Sequence, residues 1–372
     1  MLGGVAIALV LAATGAGAPA TVTVDASRRG RAVPPSFLGI SIEWDSIEAY
    51  AGPPGHRRAS LGSLVAPIEH AAGTGLALRV GGDTEDQAWW NPHHRLRPPA
   101  VLQDIRPRTL DAVGSIAGMF GGPVTLGVNL PLGDPSNAAT MVRALRGMLR
   151  RWRTPKLVLA AHLYALPRCD GPTPGRAWLL SAAASRGRVA TLAPLAAIAR
   201  RANLPWRVTE LQSAVCGGRF GLSDGPAAAL WLTDTLFALL RLGAAQADVH
   251  TWDHARYALF APTRGGGAIA RPPLAGLTAF ARAAPSGSRL VAASVRGGGG
   301  LRAWATVGPS GRVNVALLAP AAARARVRAG TGSACAVVWN SAGRVRPLCP
   351  VAGAYTVSLP ARSMAVLGVP AS

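Results

Sequence analysis

From about residue 35 to residue 285 the chain alternates short apolar runs with longer amphipathic segments. The runs SFLGISIE (36–43), LALRVGG (76–82), PVTLGVNL (123–130), KLVLAAHLY (156–164), WRVTEL (206–211) and ADVHTW (247–252) have strand length and end in polar or aromatic residues. Between them lie LGSLVAPIEHAAG (61–73), NAATMVRALRGMLRRW (137–152) and AAALWLTDTLFALLRLG (227–243), whose apolar residues recur at helical spacing. Strands alternating with helices predict βα units on a parallel sheet. Beyond residue 285 the texture changes: LRAWATVGPSGRVNVALLAP reads as a hairpin turned at GPSG, and CAVVWNSAGRVRPLC as another turned at NSAG. AYTVSLPARSMAVLGV supplies closing strands, giving a small β-sandwich over 286–372. TVTVDAS (21–27), within an N-terminal segment 19–33, is expected to join that sandwich as an edge strand.

Composition adds a compartment. The first charged residue is Asp25, so 1–18 reads as a secretory signal peptide with a small-residue cleavage pattern near Ala16 to Ala18. It lacks a positive n-region, which leaves an uncleaved anchor or a misplaced start as the other readings. No later segment offers ~20 uninterrupted apolar residues, so no second membrane span is expected. Four cysteines suit an extracellular protein. Pairing Cys169 with Cys216 and Cys335 with Cys349 keeps each bond inside one unit; four reduced buried thiols are the alternative. Net charge +22 invites a polyanion. Lys156 is the only lysine, however, and the arginines are scattered through an Ala/Gly/Pro-rich chain without the aromatic interleaving of a nucleic-acid groove. Coding bias explains that skew, and no specific nucleic-acid partner is expected.

In parallel α/β barrels reactive groups sit at the C-terminal ends of strands. Reading those ends gives Glu43 and Asp45; Asp83, Glu85 and Asp86; Asn129 and Asp134; His162 and Tyr164; Glu210; and His250. This rim is rich in carboxylates, has no metal-ligand spacing, and GGDTED lacks the lysine of a phosphate loop, so no cofactor is expected. Glu210 stands out because the chain has only five glutamates and a buried strand-end carboxylate must be paired or used. Carboxylates beside Trp44, Trp89, Trp90, Tyr164 and Trp252 suit sugar chemistry, in which aromatic faces stack on sugars and a carboxylate attacks or stabilises an oxocarbenium-like centre. The bland alternative is a set of rim residues paired with arginine. In GRFGLSDG (218–225), Ser223 or Asp224 reads as the N-cap of the helix that follows.

PPSFLGISIEW, LRVGGDTEDQAWWNP, AHLYALPRC, LPWRVTELQSAVCGGRFGLSD, AAALWLTDTLFALLRLGAAQADVHTWD and the terminal LPARSMAVLGV together resemble glycoside hydrolase family 79, the β-glucuronidase and heparanase-like enzymes. The resemblance implies a (β/α)8-type TIM barrel over 34–285 with a C-terminal antiparallel β-sandwich, acting on glucuronides or other acidic glycans. It implies Glu210 as nucleophile, Glu43 as a contact for glycone hydroxyls, and Tyr164 against the nucleophile. It further implies that Asp83 occupies a position usually held by Asn and that the loop through Gly217, Gly218 and Ser223 receives a uronate carboxylate; His250, from its strand end, is expected among the substrate-binding residues.

One part of that pattern is missing. The family's acid/base glutamate follows an asparagine, and this chain contains no Asn-Glu pair. Only 26 residues separate Leu130 from Leu157, room for one helix where three helices and two strands belong. The chain therefore reads as six βα units, about two short of a full barrel. Strands three and six then either pair directly in a smaller barrel or leave it poorly closed. A degenerate or incompletely assembled member, a sugar-binding pseudoenzyme, or an enzyme with Asp134, Asp170 or Glu85 as substitute acid are the three explanations.

Overall fold

The computed structural model describes residues 19–53, 59–148, 157–264, 267–329 and 334–371. The expected signal segment, Lys156 and the last residues of the 137–152 helix lie outside them. In chain order the strands are β1 (Ala20–Ala32), β2 (Leu38–Ile42), β3 (Leu76–Val80), β4 (Ala88–Trp90), β5 (Gln103–Ile105), β6 (Gly121–Leu126), β7 (Leu159–Leu166), β8 (Trp206–Ala214) and β9 (Gln246–Thr251). A short pair follows, β10 (Phe260–Pro262) and β11 (Ala268–Ala270). The remainder are β12 (Arg289–Arg296), β13 (Arg302–Val307), β14 (Val313–Ala319), β15 (Ala323–Arg328), β16 (Ala336–Asn340), β17 (Val345–Leu348), β18 (Tyr355–Leu359) and β19 (Ser363–Val369).

Six strands form a parallel sheet in the order β6-β3-β2-β9-β8-β7. These are the six strands read from the sequence. Their central members, β2, β3 and β9, are buried at every position, as strands covered by crossover helices must be. The helices Ala59–Ala72, Pro107–Phe120 and Pro226–Leu242 put apolar faces on one large core that includes Tyr50, Phe120, Trp231, Phe237 and Phe280. This is an α/β sheet of the (β/α)8-barrel type with about two units missing. Among the described residues β6 and β7 do not pair, so they are the two edges, and direct closure into a smaller barrel is not what forms. Their partly exposed burial patterns fit edge positions.

The second sheet has nine strands in the order β17-β16-β19-β14-β13-β12-β1-β15-β18. It folds over itself around an apolar core that includes Val22, Val315, Leu317, Val327, Val338 and Leu367. The N-terminal strand is interior, antiparallel to β12 and parallel to β15, which corrects its expected place at an edge. Alternation in ATVTV buries Ala20 and Val22 and leaves both flanks of the backbone free to pair. On the other half of the sandwich, Ala316, Leu318, Trp339, Met364 and Val366 join the helix core instead. There Asp234, fully buried on the helix Pro226–Leu242, accepts from Ser185 Oγ (2.5 Å), Arg302 Nη1 (2.6 Å) and Trp304 Nε1 (2.8 Å). This charge, paired and hydrogen-bonded on both oxygens, ties β13 to the barrel helices.

Both disulfides pair as read, Cys169 with Cys216 and Cys335 with Cys349. Among the described residues no helix is long and apolar enough to cross a membrane, and no cluster of three or more His, Cys, Asp or Glu is placed to hold a metal.

One buried acid gives a testable pH effect. Asp248 on β9 is 1% exposed; its Oδ1 accepts from Gln246 Nε2 (2.6 Å) and its Oδ2 has no partner. Burial pushes its carboxyl up to about 6, above the unfolded value of about 3.9. The native state therefore favours the protonated form, and that contribution is complete below the unfolded pKa and is lost as pH rises through about 6. Asp248→Asn is expected to raise stability at pH 8 by about 2 kcal/mol and to leave it nearly unchanged at pH 3, read by thermal melts at both pH values.

Candidate active site

The site lies at the C-terminal ends of β2, β3, β7, β8 and β9. Its centre is made by a bulge: Ala161 pairs with Val208 and His162 with Glu210, so Thr209 is passed over, and the ladder to β9 skips in the same place. An extra residue in a strand re-aims the side chains around it. Here it sets Glu210 between its two neighbours, with its side chain 7% exposed.

Two hydrogen-bond donors and a histidine surround that carboxylate. Arg79 on β3 donates from Nη1 to Oε1 (2.7 Å), Tyr164 on β7 donates its hydroxyl to Oε2 (2.6 Å), and His162 Nδ1 lies 3.3 Å from Oε2. Burial pushes the Glu210 carboxyl up, but His250, His162, the Tyr164 bond and Arg79 together outweigh it and hold the group below its ordinary value. Glu210 is therefore ionised near neutrality, with a carboxylate lone pair still open. Burial and the adjacent Glu210 charge raise the Tyr164 hydroxyl, so Tyr164 remains a donor. Burial lowers His162, against the pull of Glu210; its side chain is 50% exposed and turns one edge outward.

A second carboxylate is built into the wall. Glu43 follows β2 and accepts from His250 Nε2 (3.0 Å), Asp83 N (3.2 Å), Thr84 N (3.0 Å) and the Thr84 hydroxyl. Those donors occupy the four acceptor positions of a carboxylate, and its side chain is 5% exposed. It orders the β3 turn and orients His250; no lone pair is left for a sugar hydroxyl, contrary to the role the resemblance implies. Gly82, at φ 141°, makes this possible, since a Cβ there would overlap the Glu43 carboxylate. Burial pushes Glu43 up, and the His250 and Thr84 bonds bring it below its ordinary value. Ser41 on β2 completes a chain: it accepts from Arg79 Nη1 (3.1 Å) and lies 3.1 Å from His250 Nδ1. Ser41 can therefore give its proton to Nδ1, while Nε2–H faces Glu43.

The proposed acids separate clearly. Asp134 accepts from Asn137 N (2.9 Å) and Ser136 Oγ (2.7 Å) ahead of the helix Pro135–Met148. Those bonds hold its carboxyl below the ordinary range, which suits a cap and not a proton donor. Asp170 is exposed in the loop after β7, next to Cys169. Glu85 shares the Arg79 guanidinium with Glu210, accepting from Nη2 at 3.0 Å, and from Gly82 N at 3.3 Å; burial raises it in spite of Arg79. Asp83 is exposed at the mouth, and burial of its carboxyl together with the charges of Glu43 and Glu210 raises it above its ordinary value. Tyr257, 3% exposed, faces the same carboxylates, and its ring centroid lies 5.8 Å from that of His250.

The loop after β8 is pinned by the Cys169–Cys216 bond and by two glycines with positive φ, Gly217 (74°) and Gly218 (84°). A Cβ on Gly218 would stand 2.9 Å from Ser223 and 3.0 Å from Tyr257. Ser223 is fully buried, bonded to Ser213 Oγ (2.8 Å) and accepting from Arg219 N (2.9 Å). It holds the loop from beneath and is not on a ligand-facing surface. The following helix is capped by Gly225, not by Ser223 or Asp224; Asp224 instead accepts from Gly221 N (2.8 Å). The outer face of the loop carries Phe220, 80% exposed, with the Arg256 guanidinium 5.6 Å from its ring centroid. Trp44, Trp89 and Trp90 are buried packing residues. Of the expected aromatic platform, Tyr164 is on Glu210 and Trp252 donates its indole N–H to Asp45 (3.1 Å).

Arg79, Ser41 and Tyr257 do not stand out from the sequence as site residues, whereas His162 does, as a strand-end residue beside Tyr164. Arg79 has a signal in LALRV: a lone charge in a strand of otherwise apolar residues must have a buried partner.

Solved glycoside hydrolases share this architecture of a parallel βα sheet with an appended β-sandwich. Solved structures similar to the chain include a 4-O-α-L-rhamnosyl-β-D-glucuronidase from Fusarium oxysporum 12S (14% identity, TM-score 0.72, 94% of this chain and 100% of that one). A family 51 α-L-arabinofuranosidase from Bifidobacterium longum matches at 14% identity and TM-score 0.65 over 95% and 100% of the two chains. A family 30 subfamily 8 xylanase from Clostridium acetobutylicum matches at 14% identity and TM-score 0.55 over 94% and 100%. No protein-family model matches the chain, and no curated protein does.

Proposed function

We propose that the protein is an exported glycoside hydrolase of the β-glucuronidase type, resembling family 79, that cleaves uronate-containing glycans with retention of configuration. The observation that carries this reading is Glu210: an ionised, oriented carboxylate at a bulge on the rim of a parallel sheet, held by Arg79, Tyr164 and His162. Such a group attacks an anomeric carbon to form a glycosyl ester, and the leaving oxygen needs a proton from a second carboxyl. Our candidate for that role is Asp83, an exposed acid in the turn after β3 whose carboxyl is raised by burial and by Glu43 and Glu210. Once deprotonated it takes a proton from water, which attacks the ester carbon and frees Glu210. An anionic glycone is what the resemblance of the loop after β8 implies; Arg219 and Arg256 add positive charge on and beside that loop. Export is supported by the two disulfides.

The absent Asn-Glu pair and the unpaired β6 and β7 edges favour a second reading, a non-catalytic carbohydrate binder on the same scaffold. Initial rates on nitrophenyl β-glucuronide, α-arabinofuranoside and β-xyloside separate the two. Phenol release from the glucuronide above the other two is the expected result. No release from any of them rejects the hydrolase.

A further inference from the structure

The sandwich half formed by β12, β1, β15 and β18 turns a second surface to solvent. In ARARVR on β15, Ala325 and Val327 are fully buried, so Arg324, Arg326 and Arg328 share the outward face, at roughly 6.7 Å steps. Register aligns the neighbours. Thr21 pairs with Arg296 on β12 and with Arg326 on β15, and Arg326 pairs with Thr356 on β18. Thr23 pairs with Ser294 and Arg328, and Arg324 with Ser358. Among the described residues none of these four arginines has a carboxylate within salt-bridge reach, and Asp25 is the lone acid on these outward rows. Half-sheet faces of this kind on β14, β16 and β19 are covered by the barrel helices; among the described residues no helix covers this one.

The geometry points to this face as a binding surface for an acidic polysaccharide. Guanidinium groups spaced along one strand, with Arg296 beside them on β12, recognise repeated carboxylates or sulfates. The hydroxyls of Thr21, Thr23, Ser294, Thr356 and Ser358 between them supply donors and acceptors for sugar hydroxyls. No aromatic side chain stands in these outward positions, so the stacking that single-stranded nucleic acid uses is absent. The choice of a uronate polymer rests on the hydrolase reading, whereas the charge pattern does not.

The test is the affinity of the full chain carrying Glu210→Gln for polygalacturonate at low salt, with neutral dextran and duplex DNA as comparators. In the same background, R324Q/R326Q/R328Q is compared with R143Q/R200Q/R201Q, which removes as many charges from helices. Polygalacturonate is expected to bind in preference to both comparators. The β15 triple variant is expected to weaken it by about tenfold, the scale of removing three exposed ion pairs at once, while the helix variant stays within about twofold. Equal weakening by both variants, no effect of the β15 variant, or tighter binding to DNA or dextran overturns the surface. Because binding is read without turnover, failure here leaves the hydrolase reading standing, and phenol release from glucuronides is scored separately. Circular dichroism melts matching the parent keep a folding defect from passing as lost binding.

Discussion

Glu210→Gln is expected to lower kcat on aryl β-glucuronides by about 10⁴-fold or more, the scale on which an enzyme loses its nucleophile. The substitution keeps size and shape, and the Tyr164 hydroxyl can still donate to the amide oxygen. What disappears is the charge that Arg79, His162 and Tyr164 surround. The truncated Glu210→Ala makes room for a small anion. Azide is then expected to restore phenol release and to leave a glycosyl azide of inverted configuration, because it attacks from the face the carboxylate occupied. Nitrophenol release unchanged by Glu210→Gln would remove the residue from the chemistry.

Asp83→Asn is the second large effect. A general acid contributes about 10²- to 10⁴-fold, mostly where the leaving group is poor. Alkyl and sugar glucuronides are therefore expected to lose that factor, while a dinitrophenyl glucuronide, whose phenolate leaves unaided, is cleaved to the glycosyl-enzyme at nearly the parent rate. The pH profile supplies an independent sign. Asp83 must be protonated to act, and burial with the Glu43 and Glu210 charges lifts its carboxyl; its titration sets the alkaline limb of kcat/KM. Asp83→Asn should flatten that limb and leave the acid limb, set by the depressed Glu210, in place. Glu85→Gln on the same substrates is the discriminating control. If it, and not Asp83→Asn, shows the dependence on leaving group, the proton comes from the other carboxyl on Arg79.

Much of the scaffold was legible because the patterns that encode it are local. Each of the six parallel strands is a short apolar run followed by a helical period, and both hairpin turns sit where glycine and polar residues break alternation. Order within a sheet is not local. TVTV fits an edge or an interior strand equally, and only β12 and β15 on either side decide for the interior. The site shows the same division. Glu210, Glu43, Tyr164 and His250 stand out as polar residues at strand ends. The bulge that brings His162 beside Glu210 leaves no mark in the alternation of WRVTEL, and the four donors on Glu43 come from His250 on β9 and from the turn after β3. Ser223 shows the reverse error: read as a helix cap, and by resemblance as a uronate contact, it is fully buried and bonded to Ser213 and Arg219.

The central claim is that Glu210 forms a covalent bond to the sugar. Incubating the chain with 2-deoxy-2-fluoro-β-glucuronyl fluoride, which forms a glycosyl ester readily and releases it slowly, followed by intact-mass and peptide mass spectrometry, tests it directly. A mass gain of one fluoroglucuronyl group, carried by the peptide containing Glu210 and absent from Glu210→Gln, is the predicted result. An unlabelled chain that still hydrolyses glucuronides, or a label on Asp83 or another carboxylate, would contradict it.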